Sequence, residues 1–301
     1  MNDTGVSPLW DARTALRMAL LALGTYVAFE LLLPVVPLPR HRLSLVLLGS
    51  LIIVSTAAFM LLQLWMAQAV VNLKPNLAIC TSLVVLFVAL WVPNYLNLEH
   101  ISALHHPPPF LALLGQALII TLGGAFLGVL LSRIIREANV LLPVALVAML
   151  VDTIGAMTSI GFTQNVVASN PAFVRGVSVP VPTVGSAGPH GGLHILGFIG
   201  PGDALFMAFF LAVALRLNLN VRGTFWWMYS LLTATMLVVL FTGINIAALI
   251  PMGLAALIAN RNYFRLKRDE VFATLYAVLL ILILVGGFYL YSHTHFFRHT
   301  S

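Results

Sequence analysis

The chain has 301 residues, of which 60% are hydrophobic and only 8% charged, against roughly 45–50% and 25% in soluble domains. So little charge cannot solvate a water-soluble fold of this size, and so much apolar side chain excludes a disordered one. The net charge of +6 does not mark a nucleic-acid binder, because the 15 Lys and Arg stand at the ends of apolar runs and form no basic domain. Composition therefore defines an all-α, polytopic integral membrane protein whose first partner is the lipid bilayer. The lone cysteine, Cys80, excludes an intramolecular disulfide and a thiolate metal cluster.

A helix needs about 20 mostly apolar residues to cross roughly 30 Å of hydrocarbon. Runs of that kind predict nine spans, at 15–37, 43–71, 77–98, 110–132, 139–161, 193–216, 224–242, 244–259 and 271–291. The first follows Arg13 and Arg17 and exceeds a signal-peptide core of about 7–15 residues, so it is expected to be retained. The eighth is short enough to be tilted, broken or re-entrant. Three segments result: an N-terminal bundle of four spans (1–138), a region with two intramembrane aspartates (139–260), and a basic loop with the last span and tail (261–301).

With nine crossings, one side collects Arg13, Arg17, Lys74, Arg133, Arg136, Arg216, Arg222, Arg261, Arg265, Lys267 and Arg268. The other collects only Arg40, Arg42, Arg175 and Arg298. Cytoplasmic loops carry the excess, which predicts a cytoplasmic amino terminus and a carboxyl terminus outside. The long connection from Phe162 to Gly192 holds one formal charge, Arg175, and is neither a soluble domain nor a solvated linker. Within it Val177 to Pro182 alternates like a strand, and its prolines confine it to a sheet edge.

Glu30, Asp152 and Asp203 fall inside apolar runs, and intramembrane acids mark function by default. Asp152 lies nine residues from the outer end of its span, about 14 Å deep. Asp203 closes Gly200, Pro201, Gly202, Asp203, and only about 20 Å of helix follows it to Arg216, too short to span alone. Residues 194–199 must then complete the crossing with irregular backbone, and Asp203 comes to lie about 10 Å below the outer face. The two acids thus fall within about 4 Å of one depth on consecutive antiparallel helices. Facing carboxylates that share one proton and a water have the chemistry of an aspartic protease: the ionised acid takes a proton from the attacking water, and the protonated one polarises the peptide carbonyl. Two plainer readings stand beside this one, an N-cap role for Asp203 and an ion or proton site at Asp152. Glu30, with no motif around it, reads as structural.

At these residues the sequence resembles the presenilin and signal peptide peptidase family of intramembrane aspartyl proteases. The family places an aspartate within a span, then a hydrophobic loop, then Gly-x-Gly-Asp opening the next span, and Asp152, the loop from Phe162, and Gly200, Gly202 and Asp203 follow that order. A Pro-Ala-Leu motif follows two spans later; here Ala248 and Leu249 match its last residues, Ala247 stands in place of the proline, and Pro251 is close by. Val151 occupies the position of the family's tyrosine, and four spans precede Asp152 instead of five. The likeness covers about 139–260. It implies a presenilin-like bundle with Asp152 and Asp203 catalytic, Gly200 and Gly202 allowing close backbone approach, and Ala248, Leu249 and Pro251 shaping the cleft. It also implies that the segment holding Val179 and Val181 pairs with an unwound transmembrane substrate by strand addition. No metal or organic cofactor is implied. The loop between the aspartates faces out, as in signal peptide peptidases, and a prokaryotic plasma membrane is the expected location.

Other chemistries are tested by motif. The His-Glu-x-x-His of a zinc protease is absent, and Gly191 and Gly192 between His190 and His194 argue against a metal site. Gly185, Ser186, Ala187, Gly188 lacks the Gly-x-Ser-Gly of a rhomboid-like serine protease, and the cysteine pairs found in many prepilin peptidases are missing. A proton- or cation-coupled transporter or channel using the same carboxylates stays open, as does a catalytically silent relative that binds helices.

Overall fold

A computed structural model of the chain describes residues 12–35, 45–103, 110–157, 176–187, 193–242 and 246–265, together with 268, 272, 275, 276, 279 and 283. These residues are mostly helical, with one β-hairpin. Six helices among them are long and apolar enough to cross a membrane. The chain divides into two compact units, one of residues 1–131 and 175–212, the other of residues 132–174 and 213–301. The units interleave, so residues 139–260 are shared between them.

The first unit opens with α1 (Ala12–Leu32), which ends in a 3-10 turn at Leu33–Val35, followed by α2 (Leu45–Asn72), α3 (Leu77–Ala103) and α4 (Phe110–Ser132). The α2 and α4 helices are apolar on all sides, as membrane helices are. A buried polar chain threads α1, α2 and α4. Thr121 donates to the Gln63 carbonyl oxygen at 3.2 Å, the Gln63 amide donates to the Tyr26 hydroxyl at 3.0 Å, and Tyr26 bonds to Glu30 one turn on. Glu30 is only 4% exposed and is spent on this packing, in keeping with a structural role. By contrast, α3 leaves Val85, Leu86, Val88 and Leu90 exposed, a face suited to lipid.

The expected strand is present and longer than the alternation suggested. β1 (Val179–Ala187) pairs antiparallel with β2 (Leu193–Ile199), with Val179 opposite Ile199 and Val181 opposite Gly197. Residues 194–199, expected as irregular backbone, are thus extended and paired. A ladder satisfies backbone groups that hydrocarbon would leave bare, where irregular backbone would not. β1 packs on the turn at 33–35 and on α2, and its root is tied from two sides. The Gln116 side-chain amide of α4 donates to the Ser178 carbonyl at 2.7 Å, and the Trp91 indole of α3 donates to the Gly176 carbonyl at 2.9 Å. A side chain at Gly176 would run into the Tyr95 ring.

After β2 the chain turns into α6 (Pro201–Arg216), 16 residues, as short as the sequence required. It crosses α4 at Gly124 and Gly128, a Gly-x-x-x-Gly pair that lets two backbones approach. A Cβ at Gly124 would meet the Pro201 carbonyl and the Leu205 amide at 3.2 Å, and one at Gly128 would meet the Phe209 amide at 2.8 Å and also run into the Leu205 carbonyl.

The second unit contains α5 (Leu141–Met157), α7 (Val221–Thr242) and α8 (Leu249–Asn260), with α8 packed on both of the others. At 12 residues α8 is about 18 Å long, shorter than the run that predicted it and too short to cross alone. Its last residue, Asn260, is fully buried: the side-chain oxygen accepts the Asn220 N–H at 2.9 Å, and the amide donates to Thr224 Oγ1 and the Ala256 carbonyl, both at 2.8 Å. The predicted span at 271–291 falls largely outside the described residues, although 272, 275, 276, 279 and 283 are helical.

The α4–α6 crossing leads to a stability prediction. Gly128→Val forces the two backbones apart and is expected to cost about 1–3 kcal/mol, the usual range for overpacking. Gly115→Ala on the same helix, with open space around it, is expected to be neutral or slightly stabilising. Thermal unfolding in detergent checks the pair, and equal midpoints for Gly128→Val and wild type would remove the crossing from the account.

Candidate active site

Asp152 lies on α5 eleven residues beyond Leu141, and Leu249 opens α8 eleven residues before Asn260. The two helices pack together, and one Asp152 carboxylate oxygen accepts the Leu249 backbone N–H at 2.9 Å. This bond has a local cause. The first amides of a helix have no intrahelical acceptor, and the residue in the N-cap position, Ala248, has no side-chain oxygen to offer. Asp152 supplies it from a neighbouring helix. The approach is close enough because Gly253, one turn into α8, lies against Met149, one turn before Asp152; a Cβ there would meet the Met149 side chain at 2.7 Å. Asp152 is half-buried, so its carboxyl is not sealed into the packing.

In the first unit, Asp203 occupies the third position of α6 and its carboxylate reaches back to accept the Gly200 N–H at 3.0 Å, while its own N–H donates to the Gly200 carbonyl at 3.1 Å. This is the acidic half of a capping box, with Pro201 at the first helical position, where its missing N–H costs nothing. The capping reading of Asp203 is thus met in part, through the backbone of Gly200, and the carboxylate also sits at the positive end of the α6 dipole. Asp203 is half-buried. Gly202 has open space where a side chain would stand, and Gly200 lies in ordinary contact with the Asp203 carboxyl.

The structure therefore joins Asp152 to Ala248, Leu249 and the buried Pro251 in one unit, and Asp203 to Gly200, Gly202 and the hairpin in the other. Val179 and Val181 are buried, at 0% and 1% exposure, so these side chains anchor the sheet and a peptide could use only their backbone. Four positions that hold the two corners were not singled out from sequence: Gly124 and Gly128 beneath α6, Gln116 at the root of β1, and Gly253 against Met149. The first pair carries a visible signal, the Gly-x-x-x-Gly spacing in an apolar run; the other two depend on partners distant in the chain. Among the described residues no three His, Cys, Asp or Glu come together as a metal site. His194 is in β2, and His190 lies outside the described residues. The chain matches no protein-family model, no curated protein and no solved structure.

The cap on α8 separates two substitutions that are chemically close. Asp152→Asn keeps an oxygen for the Leu249 N–H and is expected to hold the fold near wild-type stability. Asp152→Ala leaves that amide without its acceptor and is expected to cost about 1–3 kcal/mol. Hydrogen exchange at the Leu249 amide reads the difference: faster in Asp152→Ala and little changed in Asp152→Asn. Equal exchange in wild type and Asp152→Ala would show that the amide has another acceptor.

Proposed function

We propose that the protein is an intramembrane aspartyl protease, a presenilin-like bundle of nine spans that hydrolyses peptide bonds in transmembrane segments with Asp152 and Asp203. The observation that carries this reading is the 2.9 Å bond from the Leu249 N–H to Asp152. It links two elements 97 residues apart that were paired from sequence only by their resemblance to one active site. A cap on a short helix does not need that helix to begin at Ala248 and Leu249, and a transporter does not need the segment at all.

A further observation supports it. A two-stranded sheet leads directly into Gly200 and Asp203, with β1 formed by the segment expected to receive a substrate strand. A two-stranded sheet has outer edges, and a peptide laid along one gains main-chain hydrogen bonds in place of those its own helix gives up.

In the proposed reaction the two carboxyls hold a water between them and share one proton. The ionised one removes a proton from the water as its oxygen attacks the peptide carbonyl, and the protonated one donates to the carbonyl oxygen. Collapse of the tetrahedral intermediate breaks the C–N bond, and the leaving nitrogen takes up a proton. No metal or cofactor enters these steps. On this reading the amino terminus is cytoplasmic, the carboxyl terminus and the hairpin face outward, and the host membrane is a prokaryotic plasma membrane.

The test is cleavage of single-span reporters of both orientations by purified protein in lipid. Wild type is expected to cut, and Asp152→Asn and Asp203→Asn to lose activity by at least about a thousandfold while staying folded. A folded wild type that cuts no reporter but conducts protons or cations in liposomes would favour a transporter instead. One that binds reporters without cutting them would be a silent relative.

A further inference from the structure

We infer that the arginine-bearing end of the second unit is a binding site for the phosphate headgroups of anionic phospholipids. Three connections form this end, and each is tied to the other two. The link from α4 to α5 meets the segment after α8 through Asn139, whose amide donates to the Arg265 carbonyl and whose oxygen accepts the Arg265 N–H, both at 3.0 Å. The same link meets the end of α6 where the Arg216 guanidinium donates to the Ser132 carbonyl. The link from α6 to α7 meets the end of α8 where the Asn220 N–H donates to Asn260.

This closed triangle gathers Arg133 and Arg136, Arg216 and Arg222, and Arg261 and Arg265 from three distant stretches of chain. All but Arg133 are exposed, and among the described residues of these connections the only acid is Glu137. Among the described residues this face carries six arginines against one acid, an excess of positive charge that suits an anionic partner.

The aromatic residues beside it fix which anion. Trp226 and Trp227 are 49% and 45% exposed, and Trp226 lies four residues into α7 from Arg222, about 6 Å along the axis. Tyr263, 47% exposed, stands between Arg261 and Arg265. Exposed indole and phenol groups at the ends of apolar helices settle at the boundary between acyl chains and headgroups. One turn beyond that boundary is the headgroup layer itself, and a guanidinium there can take phosphate oxygens in a bidentate fork. The connections are short and their ends are tied down, so the arginines stay at this level and do not reach into the water to meet a soluble partner.

The full-length protein in a neutral detergent can be titrated with short-chain phosphatidylglycerol, with phosphatidylcholine of equal chain length and with inorganic phosphate, bound lipid being counted by native mass spectrometry. Phosphatidylglycerol is expected to bind at least about tenfold more tightly than phosphatidylcholine, and inorganic phosphate not to displace it. The triple variant Arg136→Gln, Arg222→Gln, Arg261→Gln spares the hydrogen bonds that tie the three connections. It is expected to lose phosphatidylglycerol affinity at about fivefold per arginine, about a hundredfold in all. Equal affinity for the two lipids, or an unchanged triple variant, would overturn the inference. Displacement by inorganic phosphate would overturn it in favour of a free-anion site.

Discussion

A helix that begins in apolar surroundings leaves its first amides without water to bond, and an alanine at its N-cap gives them nothing in exchange. In α8 that deficit is met by Asp152, which accepts the Leu249 N–H from the neighbouring helix. The bond sets the register of α5 against α8, with Met149 opposite Gly253 one turn away. At the far end of α8 the buried Asn260 ties the same helix to the start of α7. Polar contacts thus pin both ends of a helix too short to cross a membrane, with apolar packing between them.

Asp203 is held by different physics. Its carboxylate is used at the start of its own helix, through the Gly200 amide, and the position of that helix start comes from glycine packing. Gly124 and Gly128 let α4 approach the first turns of α6 at backbone distance. In hydrocarbon, helices gain little from hiding apolar side chains, so close packing of this kind is what holds them together. The hairpin feeding into α6 is fixed in turn by Gln116 and Trp91, which satisfy carbonyls at the root of β1. Each acid is therefore oriented by a backbone amide without being fully buried, which is what the proposed chemistry asks of a dyad.

Much of the helical framework was legible from apolar runs and their breaks. The span expected at 110–132 coincides with α4, and those at 43–71 and 224–242 differ from α2 and α7 by a few residues at an end. The short helix after Asp203 followed from the distance to Arg216. The strand at 193–199 was not legible: Gly197, Gly200 and Pro201 suggested irregular backbone, and only the partner strand at 179–187 makes extension favourable there. The Asp152–Leu249 bond was likewise beyond local pattern, because nothing near Asp152 points to an amide 97 residues away. Alternation pointed to a strand at Val179 and Val181, and only the resemblance implied that it pairs with a substrate through its backbone; that their side chains are buried in the first unit was not legible from the pattern. Glu30 read as structural from its lack of a motif, but the Tyr26, Gln63 and Thr121 network that holds it required three helices to be placed together.

The proposed chemistry requires Asp152 and Asp203 to act as a pair. Cys80 is the only native cysteine, so a Cys80→Ser background that carries Asp152→Cys and Asp203→Cys can be treated in membranes with a short bifunctional thiol crosslinker, with a protease site introduced between the two positions. Two carboxyls that share a water place their α-carbons within reach of such a reagent. Efficient crosslinking of the double variant is expected, seen as fragments that stay joined after cleavage. Fragments that separate after cleavage, in a double variant whose two thiols both react with a monofunctional reagent, would contradict it.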